Sequence, residues 1–387
     1  MKNIILFDPV KVRAELLPLT YTRPVALIRH GITTITEKWQ RAIPGAYSYS
    51  TQDYLSIKYP MVEASDGDNL FIAGNLHPDK SLVNAILSLE IGEALTLGGD
   101  IIARRGNGEP ASSREYAGEP LAINHIYDIF MTNEEAICRD FSLLTEGRKS
   151  QPLRDTCRLI GDPSLLFIEE GATVEGAILN VTKGPIYVGR DAEIMEGACL
   201  RGPIALCEHA VVNMGGKIYG ATTLGPYCKV GGELNNVVMT GYSNKAHDGF
   251  LGNAVIGEWC NLGAGCTASN LKNTYGPIKL WSIAEGRFVK TGLQFCGLIM
   301  GDHSKAGINT MFNTATVVGV GVNFYSAGFP RTFIQSFTEG STLGMKDVRM
   351  ESFFDTASRM MARRHVELTP IDKEIFIHIR EDVTETK

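Results

Sequence analysis

The chain repeats itself every six residues. From Val188 an aliphatic side chain returns at Ile194, Leu200, Leu206, Val212, Ile218, Leu224 and Val230, all in one phase. Four residues after each stands a mostly small side chain: Ala192, Ala198, Ile204, Ala210, Gly216, Thr222, Cys228 and Leu234. The frame returns at Ile256 and Leu262, and again at Met300, Ala306, Phe312, Val318 and Phe324. Such a beat fits neither the helical period of about 3.6 nor the strand period of about 2. It suits a triangular coil, in which each side is a short strand with its aliphatic residue inward and each corner is a turn. Three sides make a rung of about 18 residues, and stacked rungs bury the aliphatic side chains in columns. The glycines, 41 in 387 residues, crowd between Gly161 and Gly344, where such turns recur. A hexapeptide parallel β-helix is therefore predicted over residues 155–329.

Two stretches break the phase. One runs from Leu234 to Ile256, and the other follows Ala268 and ends near Phe288. In a solenoid, insertions map to loops on one face, often the binding face.

The flanks read differently. In residues 1–150, short apolar runs at Asn3–Phe7, Leu70–Ala73, Ala94–Leu97 and Ile101–Ala103 predict strands, and Glu37–Arg41 and Lys80–Leu89 predict helices. Their alternation predicts an α/β unit with a mainly parallel sheet. Gly106–Gly118 reads as a surface loop and Arg148–Arg154 as a linker. Residues 330–387 read as a helical extension. Phe353, Phe354, Ala357, Met360 and Met361 form a packing stripe, and Thr369 to Asp372 resembles a capping box. These helices are expected to close the open end of the solenoid or to meet another subunit.

Composition excludes several classes. A net charge of −6 argues against a nucleic-acid partner and against a polybasic membrane anchor. No apolar run nears the ~20 residues that span a bilayer. The start, MKNIILFDPVKVRAELL, lacks the layout of a secretory signal, so a cytoplasmic location is expected. Eight cysteines without CxxC pairing or zinc spacing read as reduced apolar fillers.

Chemistry concentrates at the first break, SNKAHDGFLGN, and at the rung after it, EWCNLGAGCTASN. A neutral imidazole at His247 can take a proton from an attacking amine, and amide side chains at Asn261 and Asn270 can orient a sugar. KAHDGFLGNAVIGEWCNLGAGCTASN resembles the acetyltransferase half of the bifunctional GlmU-type enzymes. In these, N-acetylglucosamine-1-phosphate uridyltransferase and glucosamine-1-phosphate N-acetyltransferase share one chain. The resemblance is close over residues 243–271. It implies a left-handed solenoid that forms a homotrimer and binds acetyl-CoA between coils. It further implies His247 as catalytic base, with Asn261, Asn270 and Lys245 as substrate ligands and Thr291 and Lys305 as acetyl-CoA ligands. Phe250 stands where the family has a tyrosine.

The segment Leu17-Pro-Leu-Thr-Tyr-Thr-Arg-Pro24 is similar to that of sugar-nucleotide pyrophosphorylases, and implies a Rossmann-like nucleotidyltransferase unit. UTP and Mg2+ are the implied substrate and cofactor. Arg13, Arg23, Arg29, Lys38 and Asn75 are the candidate nucleotide or phosphate ligands. Three family groups are altered: no GxG loop follows the first strand, Val25 replaces a lysine, and Asn75 falls near the metal-holding aspartate. The metal ligand is therefore unassigned. This altered signature resembles divergent GlmU-like proteins of some bacteria. The expectation is a two-domain transferase of sugar-nucleotide biosynthesis. Its rivals are a single-activity nucleotidyltransferase with a trimerising solenoid, and a non-catalytic trimeric scaffold or sensor.

Overall fold

The computed structural model describes residues 2–326 and 328–385. Its N-terminal unit is built on a six-stranded sheet. The strands are β1 (Lys2–Phe7), β2 (Gly45–Ser50), β3 (Asn69–Ala73), β4 (Glu93–Leu97), β5 (Asp100–Arg105) and β6 (Ser112–Glu115), in the order β2-β1-β3-β5-β4-β6. β1 runs parallel to β2 and β3, and β4 parallel to β6, whereas β5 is antiparallel to both its neighbours. The sheet is therefore mixed. β6 lies inside the stretch read as a loop. Its four side chains, Ser-Ser-Arg-Glu, are all exposed. It is an edge strand formed by backbone pairing alone, with no apolar pattern to betray it.

Helices α1 (Val10–Glu15), α2 (Ile35–Ala42), α3 (Asp53–Ser56), α4 (Lys80–Leu87), α5 (Asp128–Met131) and α6 (Asn133–Thr145) complete the unit. Thr34 and Glu37 form a complete capping box at the start of α2. That helix turns Trp39 inward, where its indole N–H donates to the Leu76 carbonyl at 2.8 Å.

From Arg158 the chain winds as a three-sided parallel solenoid. Ile186 pairs with Ile204 and that with Thr222, each one rung of 18 positions on. None of the eight aliphatic residues from Val188 to Val230 is more than 1% exposed. The corner residues Asp191, His209, Tyr227, Tyr242, Trp259 and His303 all adopt φ between +53° and +60°. From His209 onward their rings stack in a ladder, with centroids 4.2–6.1 Å apart.

The first break in phase is not a loop. Residues Glu233–Gly241 and Phe250–Glu258 are two nine-residue strands, paired in parallel with each other. The rungs merely shorten there. Val230 pairs with Lys245, 15 positions on, and Met239 with Ile256, 17 on. A register that keeps its columns while dropping residues at a corner loses the six-residue beat without leaving the coil. The second break is a true excursion, which carries the antiparallel hairpin Lys279–Ser282 and Arg287–Lys290.

The N-terminal unit packs on one outer wall of the solenoid. Val238, Val255, Ile299 and Val317, all nearly fully buried, share a core cluster with Ile4, Leu6 and Ile72. Asn133 at the start of α6 donates to the Ala221 carbonyl, and the Thr223 hydroxyl donates to that of Gly31. Helices α7 (Met350–Ala362) and α8 (Pro370–Glu385) gather with Trp259, Phe337 and Leu55 in another cluster. Thr369 and Asp372 form the expected capping box, with bonds of 3.0 and 3.2 Å. No helix among the described residues is long and apolar enough to cross a membrane.

Candidate functional site

His247 projects from the turn 246–249, between the strands Asn244–Lys245 and Phe250–Glu258, and is exposed. It borders a groove of about 850 Å3. Asn244, Asn261 and Lys305 line the same groove and stand in register on successive rungs. Across from them, α7 and its C-terminus contribute Arg359, Arg363 and Arg364, and Lys229 adds a fifth cation. No Asp or Glu is among the described lining residues. In a chain of net charge −6, a cleft holding only cations is built to attract an anion. The Lys305 amine donates to the His303 carbonyl at 2.8 Å, and burial pulls its pKa down to about 8 against the opposing pull of Cys260.

The structure thus brings together His247, Asn261 and Lys305, and leaves other expected ligands elsewhere. Asn270 lies outside this groove and donates to Asn253 at 2.8 Å. The Thr291 hydroxyl donates to the Ile278 carbonyl, closing the base of the hairpin. Lys245 is fully buried, with its amine turned onto backbone carbonyls, so a substrate phosphate does not reach it in this conformation. The arginines of α7 were missed. Their signal in the sequence is Arg359, Arg363 and Arg364 in SRMMARRH, masked by the Met and Phe stripe that packs the same helix. Arginines at a helix C-terminus also complement the negative end of its dipole.

The candidate phosphate ligands of the N-terminal unit do not converge. Arg13 donates to the Tyr54 hydroxyl at 2.7 Å and to the Thr20 carbonyl. Arg23 is buried between Asp302 and Glu258 of the solenoid. Burial disfavours its charge, but the two carboxylates outweigh that and raise its pKa. Arg29 donates to the carbonyls of Ile32 and Thr240. Lys38 is buried against Asp140; burial lowers its pKa, and Asp140 opposes the shift. Four cations committed to protein partners cannot also hold a triphosphate in this conformation.

In α/β sheets, ligands bind beyond the carboxyl ends of the parallel strands. Here that crevice is filled by the chain itself. The Val25 amide and the Thr51 hydroxyl both donate to Asp8, just after β1. Gly74, after β3, lies so close to Ala26 that an added Cβ would stand 3.1 Å from the alanine's own. Asn75 donates to Asn124 at 2.9 Å, and its own amide oxygen is buried without a partner. That neutral oxygen is a poor sole ligand for Mg2+, which is usually held by carboxylates together with substrate phosphates. Asp8 is already occupied. Among the described residues no three His, Cys, Asp or Glu side chains converge on a metal position. The described residues therefore offer no ready-made all-protein Mg2+ cage, and no step is routed through the metal.

Comparison with known proteins adds the following. Residues 4–149 match the family described as Sugar nucleotidyl transferase. A bifunctional sugar-1-phosphate nucleotidylyltransferase/acetyltransferase of Sulfurisphaera tokodaii is 26% identical over 165 residues, 42% of this chain and 40% of that protein. The chain therefore aligns with about two fifths of the length of that curated relative. Among solved structures, the polysialic acid O-acetyltransferase OatWY overlaps 50% of this chain and 85% of its own, at 14% identity and a TM-score of 0.22. The acetyltransferase domain of PglB from Neisseria gonorrhoeae, in complex with acetyl coenzyme A, overlaps 90% of this chain and all of its own, at 10% identity and a TM-score of 0.18. Overlays with such scores carry no weight for activity.

Proposed function

We propose that the protein is a transferase of sugar-nucleotide biosynthesis, and that the solenoid groove moves an acetyl group from acetyl-CoA to the amine of glucosamine-1-phosphate. The observation that carries this reading is the groove itself, where one exposed imidazole stands among five cations and, among the described residues, no carboxylate. Both substrates are phosphorylated, and the reaction needs the uncharged sugar amine beside the acetyl-CoA thioester. His247 accepts the amine proton as the nitrogen attacks the thioester carbon. The tetrahedral intermediate then collapses, the C–S bond breaks, and the departing thiolate takes a proton. Asn261 orients the sugar, and the arginines of α7 hold phosphate. In keeping with the GlmU-type resemblance, the chain acts as a homotrimer in the cytoplasm.

The N-terminal match supports a second step, uridylyl transfer from UTP to N-acetylglucosamine-1-phosphate with release of pyrophosphate. The cations expected to serve that step, Arg13, Arg23, Arg29 and Lys38, are engaged by protein partners, so we derive no mechanism for it.

One assay tests the reading. Purified protein is given acetyl-CoA and glucosamine-1-phosphate, and thiol release is followed. A second arm follows pyrophosphate release from a panel of nucleoside triphosphates and sugar-1-phosphates. His247→Ala should lower the acetyl-transfer rate by roughly a hundredfold or more. Near wild-type turnover in that variant would remove His247 as the base. Pyrophosphate release from no pair would confine the protein to acetyl transfer.

A further inference from the structure

The solenoid's interior column contains one residue that does not belong there by polarity. Ile194, Val212 and Val230 stack in register, and the next rung places Lys245 on Val230. Beyond it the column resumes with Leu262, Ala306 and Phe324. Lys245 is 0% exposed, and its hydrogen-bond partners are backbone carbonyls alone. A buried ammonium is costly unless something compensates it. Burial lowers its pKa, against the opposing influence of Cys266 and Asp248.

Those carbonyls belong largely to one turn. Lys245 donates to the carbonyl of His247 and, at 3.0 Å, to that of Asp248. Asn213, two rungs earlier, donates to the carbonyl of Ala246 at 2.7 Å. The Gly265 amide reaches the Asp248 carbonyl at 3.0 Å, and the Glu233 amide reaches that of Gly249 at 3.1 Å. The carbonyls of Ala246, Asp248 and Gly249 are thus held from neighbouring rungs and that of His247 by Lys245, while the imidazole between them stays exposed.

We propose that Lys245 is a positioning residue, an ammonium inserted into the aliphatic column to hold the turn that aims His247 into the groove. This rests on the acetyl-transfer reading for its kinetic consequence, though not for its structural one. It departs from a role for Lys245 as a substrate ligand.

Lys245→Met removes the ammonium and keeps the side chain's bulk. The expected result is a fall in kcat for acetyl transfer of about 10- to 100-fold, with the KM for acetyl-CoA and for glucosamine-1-phosphate within about twofold of wild type. Amide hydrogen exchange at Gly265 and Glu233, which donate to the carbonyls of Asp248 and Gly249, should quicken while the rest of the solenoid stays protected. Lys245→Gln keeps a neutral N–H donor group and should fall between wild type and Lys245→Met, which provides a reading if the methionine variant does not fold. Unchanged kcat and unchanged exchange would overturn the proposal. So would a raised sugar-phosphate KM at constant kcat, which would return Lys245 to the substrate. If the wild type releases no thiol, the acetyl-transfer reading fails, and the exchange data alone decide whether Lys245 holds the turn.

Discussion

Single residues acquire their roles here from which side of the coil they face. Asn261 and Lys305 face the groove, whereas Lys245, in the same few rungs, faces the interior. Two lysines of similar sequence surroundings therefore behave differently. Lys305 is only partly enclosed, and its pKa of about 8 places its charge change within reach of ordinary buffers. The sign follows from the shift. The unfolded chain holds this proton up to about 10.5, the folded one only to about 8, so stability from this group grows as pH rises between those values. Anion binding goes the other way, because the neutral amine no longer attracts phosphate. The KM for acetyl-CoA should rise as pH passes through about 8, and Lys305→Met should flatten that rise. Steady-state kinetics between pH 7 and pH 9, at about constant ionic strength, checks it.

At the scale of elements, the six-residue beat made the solenoid legible, because each buried column demands an apolar side chain at a fixed interval. The same logic explains the misreading of Glu233–Gly241 and Phe250–Glu258. Their columns are intact, but the rungs between them are shortened, and a fixed-period reading mistakes a shorter rung for a loop. β6 was invisible for the opposite reason, since backbone pairing at an edge leaves no imprint on side chains. Of the candidate groove, the motif around His247 and Asn261 marks two lining residues. The contribution of α7 was not legible, because nothing in a linear reading says that a helix starting about 100 residues later returns to the same groove. That helix supports a prediction of its own. Exchanging Arg359, Arg363 and Arg364 together for Gln should raise the KM for acetyl-CoA by about tenfold or more and leave kcat nearly unchanged, with the loss shrinking at high salt. A drop in kcat alone would place the acyl donor elsewhere.

For the whole molecule, the residue that best joins its parts is Arg23. It was expected to grip a nucleotide phosphate, yet it reaches across to Asp302 and Glu258 of the solenoid, with Thr22 donating to Asp302 at 2.6 Å. Removing one partner of a buried ion pair strands the other charge, at a cost of about 3–5 kcal/mol. Arg23→Ala should therefore lower the urea midpoint by a corresponding amount, whereas a residue kept only for ligand contact would leave the unligated protein's midpoint alone. The same junction hides Val238, Val255, Ile299 and Val317 beneath the N-terminal sheet. Dividing the gene near codon 150 to express the coil by itself would thus bare a greasy strip along its flank. Such a fragment would clump unless the missing piece were co-expressed to shield it.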